Sequence, residues 1–129
     1  MITIVLLALV YLATLALGFS IIGSERAKAR DAQRVSDMAR LQVGFAMLYN
    51  RTASYAGAAT GCNTLRVPVR TCSLVQDMSD IAKLRDPRGG DYLVTKVPDQ
   101  NSYEVTFTLE RGTTTLTKGK HVLTQAGVK

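Results

Sequence analysis

The chain reads as an α+β protein in which a long N-terminal α-helix, hydrophobic in its first half and amphipathic in its second, packs on a small C-terminal antiparallel β-sheet. Three features predict this. Residues 1–24 form an uncharged apolar run, residues 25–50 are good helix formers uninterrupted by proline, and the C-terminal third alternates apolar with polar side chains at period two.

The run MITIVLLALVYLATLALGFSII is long enough to cross ~30 Å of hydrocarbon as a helix. It lacks the basic start, short apolar stretch and small-residue cleavage site of a secretory signal peptide, so it is expected to stay in the working protein. A transmembrane or filament-core unit is therefore assigned to residues 1–24, with Ile4, Leu7, Leu12, Leu15 and Phe19 as its packing side chains, and a head to residues 25–129.

The helix should continue outward through Glu25, Arg26, Lys28, Arg30 and Asp31. Val35, Met38, Leu41, Phe45 and Leu48 recur at helical spacing and form the face that covers a sheet, joined by Tyr49. Arg34, Asp37 and Arg40 are expected on the opposite side, pairing at i,i+3. Gly18, Gly23 and Gly44 weaken such a helix, and close packing is a better reason for them than a hinge. Unbroken from about residue 2 to about residue 50, the helix is ~70 Å long and stands well clear of a bilayer.

Small and polar residues without period after Asn50 mark a loop over residues 51–72. Cys62 and Cys72 are the only cysteines, and they fit a local disulfide better than a metal site; the competing reading is a pair of reduced thiols facing the cytoplasm. A disulfide places the head outside the cytoplasm.

Ser73 with Gln76 three residues on suggests a capping box, and Leu74, Met78, Ile81 and Leu84 follow at helical intervals, predicting a short helix over residues 73–85. Asp86, Pro87, Gly89 and Gly90 end it. An antiparallel sheet is expected over residues 91–125. Its clearest strand is 102–110, where Tyr103, Val105, Phe107 and Leu109 alternate with Glu104, Thr106, Thr108 and Glu110. Residues 92–97 make a partner across the turn at 98–101, and shorter strands are predicted at 113–117 and 121–124, separated by Gly119.

Charge and chemistry narrow the function. The formal charge is +6, but 16 Lys and Arg are interspersed with 10 Asp and Glu, which describes a solvated surface and leaves nucleic acid a weakly supported partner. No Gly-rich phosphate loop, nucleophile elbow or Ser-His-Asp set is legible, so no enzyme, no cofactor and no catalytic residue are assigned. His121, the only histidine, is expected at the surface. Asp77, Asp80, Asp86 and Asp91 match no EF-hand spacing, Asp77 and Asp80 are expected on the solvent face of the short helix, and no metal is assigned.

These parts together resemble the type IV pilin and type II secretion pseudopilin family over nearly the whole chain. The most specific stretch is SERAKARDAQRVSDMARLQVGFAMLYNRTASY, residues 24–55, similar to the helix-to-loop segment of many pilin-like proteins. A second is DPRGGDYLV, residues 86–94, similar to the Asp-Pro turn that leads into the sheet of major pseudopilins. The resemblance implies a membrane-embedded subunit trimmed by a prepilin peptidase, methylated at its N-terminal residue, and lifted by an ATP-driven membrane platform into a helical filament of itself and other pilin-like subunits. On that reading Met1 is the modified residue. Val5 stands where the family usually carries a glutamate, a departure shared by some minor, tip-located members.

Arg26, Lys28, Arg30 and Arg34 outnumber Glu25 and Asp31 after the apolar run, and the positive-inside rule would place that side in the cytoplasm. The cysteines and the resemblance point the other way, to a cell-membrane protein with its head extracytoplasmic and to an extracellular filament serving adhesion, motility, DNA uptake or secretion. The alternative is an anchored binding module that does not polymerise.

Overall fold

The computed structural model describes residues 2–129; Met1, assigned above as the modified N-terminus, lies outside the described residues. One helix, α1 (Ile2–Thr52), contains both the apolar run and the amphipathic stretch and spans 51 residues, about 75 Å. It ends where Ala53 takes a left-handed backbone (φ 55°) while its N–H still reaches the Tyr49 carbonyl at 2.7 Å. This non-glycine terminus is why the loop begins two residues later than composition suggested.

The loop makes a 3-10 turn at Ala56–Ala59 and is closed by the Cys62–Cys72 disulfide, whose Cα atoms are 4.8 Å apart. Inside the closed ring the backbone runs beside β1 (Leu93–Lys96): Arg66 N–H donates to the Val94 carbonyl, Val94 N–H to Val67, and Val69 N–H to Tyr92, at 2.7–2.9 Å. The ring thereby covers a sheet edge that would otherwise be open.

Residues 73–85 do not form the expected helix. They fold as successive turns with a 3-10 turn at Ile81–Lys83. Leu74, Met78, Ile81 and Leu84 are all buried, so the apolar spacing was real, but turns satisfy it equally well in so short a segment. Side-chain pairing to α1 pins the turns: Arg51 holds Asp77 at 2.7 Å and Arg40 pairs with Asp80. Asp77, expected in solvent, is thus largely enclosed.

The sheet is a four-stranded antiparallel meander in the order β1-β2-β3-β4, with β2 (Glu104–Gly112), β3 (Thr117–Thr124) and β4 (Gly127–Val128). The turn before β2 is held by Asp99, whose Oδ1 accepts the N–H groups of Asn101 and Ser102. The two short strands expected after residue 112 are instead a turn and one longer strand that passes through Gly119. Thr113–Thr115 carry β-propensity, but Gly112 has φ +87°, and a Cβ there would lie 2.5 Å from the Leu116 carbonyl oxygen, so the chain reverses at that point.

The core lies between α1 and the inner sheet face. Met38, Leu41, Phe45 and Leu48 meet Tyr103, Val105, Phe107, Leu109 and Leu123, all buried, with Val35 half-buried at the rim. Phe45 stacks on Tyr103, ring centroids 3.7 Å apart and planes 12° from parallel. Gly44 lets the residue 73–85 segment close on the helix; a Cβ at that position would stand 3.2 Å from Met78 Cβ. His121 is buried rather than exposed. The β3 alternation puts it on the inner face with Leu123, beside Phe107, its ring nitrogens against the carbonyls of Thr117 and Lys129.

Candidate assembly helix and its charged anchor

The first half of α1 projects from the head as a bare apolar rod. Ile4, Leu7, Leu12, Leu15 and Phe19 are exposed, and so are Val5, Leu6, Tyr11 and Ile21, so the apolar surface goes all the way round. Two of its polar side chains bond back to the helix itself: Thr14 donates to the Tyr11 carbonyl at 2.8 Å and Ser20 to that of Ala16 at 3.0 Å. By length and composition α1 is able to cross a membrane.

What fixes this rod to the head is a buried ionic cluster. Arg34 grips Asp86 with two parallel hydrogen bonds, Nε to Oδ2 at 2.5 Å and Nη2 to Oδ1 at 2.9 Å. Its Nη1 donates to Asp31 at 2.8 Å and to Glu110 at 2.7 Å. Asp31 accepts three successive backbone N–H groups from the end of β2: Glu110 at 2.8 Å, Arg111 at 2.7 Å and Gly112 at 3.0 Å. Arg30 binds both oxygens of Glu110, at 2.7 and 2.6 Å. One turn further along, Asp37 accepts from the Tyr92 hydroxyl at 2.7 Å and from Gln33 at 2.8 Å.

Every member is satisfied: among the described residues no buried side-chain nitrogen or oxygen lacks a partner. The hydrogen bonds from Arg30, then Arg34, hold the Glu110 carboxyl down to about 2. Arg34 likewise lowers Asp86. Burial pushes the Asp31 carboxyl up, but its three amides and Arg34 together outweigh that and lower it. Burial, then the bond to Asp37, raises the Tyr92 phenol, which therefore stays a donor.

The structure brings together residues that sequence reasoning had set apart. Arg34 and Asp37, expected opposite the apolar stripe, are buried on it, and only Arg40 faces outward. The signal was available: extended backward, the positions 38, 41, 45 and 48 run through 34, 31 and 27, and all three of those residues are buried. Polarity concealed it, because a charged side chain is rarely enclosed unless partners converge on it, and here they come from residues 86 and 110, far along the chain. Asp77, Asp80, Asp86 and Asp91 each pair with a different arginine: Arg51, Arg40, Arg34 and Arg70 respectively.

No protein-family model, curated protein or solved structure matches the chain.

Proposed function

We propose that this protein is a structural subunit of a type IV pilus-like or pseudopilus filament and that it assembles through the apolar half of α1. The observation that carries this reading is the single unbroken helix, bare and apolar all round in its first 21 described residues and ionically clamped to a compact head thereafter. Such a rod satisfies its own backbone hydrogen bonds in lipid, and it removes the same apolar surface from water when packed against copies of itself. Head-to-tail contacts that do not close into a ring then extend into a fibre. The partners are copies of this chain, other pilin-like subunits and a membrane assembly platform, and the role is structural rather than catalytic.

The disulfide supports a head outside the cytoplasm, against the excess of cations just past the apolar run. Surface filaments sheared from producing cells and probed by immunogold microscopy should carry the chain along their length or at their tips. Filaments free of it, with all of the chain in the membrane, would reject the proposal. One observation favours the alternative of a non-polymerising membrane-anchored module: Val5 is apolar and exposed, and residues 2–24 contain no carboxylate to meet a neighbour's N-terminal amine.

A further inference from the structure

The head has an underside, and its position is set by the anchor. Because Asp31 binds the amides of Arg111 and Gly112, the β2–β3 turn at residues 113–116 is held against the first charged turns of α1. Lys28 and Ala32 on the helix, Arg111 at the end of β2, and Thr113 and Thr114 on the turn line an open groove of about 610 Å³. Lys28 lies only six residues beyond Ile22, the last large apolar side chain of the rod, or ~9 Å along the axis. A bilayer's polar zone extends ~5–8 Å beyond its hydrocarbon on each side, so a rod embedded to Ile22 sets the backbone of Lys28 and the turn at the outer edge of that zone, from which long basic side chains reach back to the phosphates.

The charge there is positive and available. At 3.6 residues per turn, Arg26 and Lys28 flank the head-facing stripe on either side, and both are exposed, as is Arg111. Among the described residues Arg26 and Arg111 make no ion pair, while Lys28 has only the exposed Glu25 at 2.8 Å. The other carboxylates of the region, Asp31, Asp86 and Glu110, are already taken by Arg30 and Arg34. The exposed part of the turn is Thr113, Thr114 and Thr115, small uncharged donors that can approach a phosphate without repulsion, while Leu116 packs against the core.

We propose that this basic underside docks on anionic phospholipid headgroups, so that the unassembled subunit stands upright on the membrane with its head seated on the lipid phosphates. The inference rests on the membrane placement of α1 and not on polymerisation. Each cation brought to an anionic surface favours the seated state about fivefold, and salt weakens that preference.

The sequence contains no tryptophan, so a Thr114→Trp substitution supplies a single reporter in the full-length chain. Reconstituted into vesicles of phosphatidylcholine alone or mixed with phosphatidylglycerol, it is read by quenching from headgroup-spin-labelled lipid. The expected result is severalfold stronger quenching in the anionic vesicles, lost at high salt and lost when Arg26, Lys28 and Arg111 are all changed to Gln. Inorganic phosphate added to phosphatidylcholine vesicles should not reproduce it. Equal quenching in both lipids, or quenching indifferent to salt and to the three substitutions, would overturn the proposal. A parallel Phe19→Trp reporter, quenched by acyl-chain bromines whenever α1 is embedded, separates a failed docking surface from a failed membrane reading.

Discussion

Arg34 Nη1 stands 2.8 Å from Asp31 Oδ1 one turn back along the same helix, with the two side chains only 3% and 0% exposed. Neither stands alone, since Arg34 continues to Asp86 and Glu110 and Asp31 continues to the end of β2. The pair is therefore the junction through which the long helix holds both the 86–90 turn and the sheet. Removing either partner leaves buried charge without compensation, which is far costlier than losing a surface ion pair.

Arg34→Met is accordingly expected to destabilise the head by about 3–5 kcal/mol. Denaturant unfolding of the detergent-solubilised chain, followed by tyrosine near-UV dichroism, measures it. Arg40→Met, which removes an exposed partner of Asp80, should change stability by less than about 1 kcal/mol in the same assay.

Acid should loosen the head in a defined window. Glu110, held down to about 2 by Arg30 and Arg34, and Asp86 and Asp31, also lowered, are easier to ionise folded than unfolded. Their contribution is therefore complete above the unfolded carboxyl range near 4 and disappears as pH falls through the folded values. Thermal midpoints should be flat from pH 7 to about 5 and fall steeply between about 4 and 2. Glu110→Gln should flatten that fall while lowering the plateau.

The disulfide ring closes over a sequence separation of 10 and lies along β1. Cys62→Ser with Cys72→Ser should cost about 2–3 kcal/mol by freeing the unfolded loop. Hydrogen exchange should show the loss first at Val94 and Val69, whose amides bond between ring and strand.

Phe45 packs fully buried against Tyr103, so Phe45→Ala should cost about 3–5 kcal/mol. Val43→Ala, on the exposed side of the same helix, should cost under about 1 kcal/mol.

Much of this architecture was legible because it rests on periodicity. The apolar run, the 38–41–45–48 stripe and the 103–105–107–109 alternation each announce an element and the face it buries. Two kinds of feature were not legible. The 73–85 segment carries helical spacing but forms turns, because its aspartates are drawn to arginines on α1, and contacts of that range leave no local trace. The anchor was misplaced because Asp31 and Arg34 look like surface residues until Asp86 and Glu110 arrive from elsewhere in the chain to neutralise them. His121 was misjudged for a simpler reason: its Thr-rich and Lys-rich neighbourhood reads as solvent-exposed, whereas period two puts it on the same inner face as Leu123.

The most direct test of assembly through the rod is oxidative crosslinking in producing cells with paired substitutions Leu7→Cys and Phe19→Cys, both exposed in the isolated subunit. The filament reading predicts a ladder of disulfide-linked species extending well beyond the dimer, recovered in sheared surface material. A chain that remains monomeric in the membrane at every pair of positions tried along the rod would contradict it.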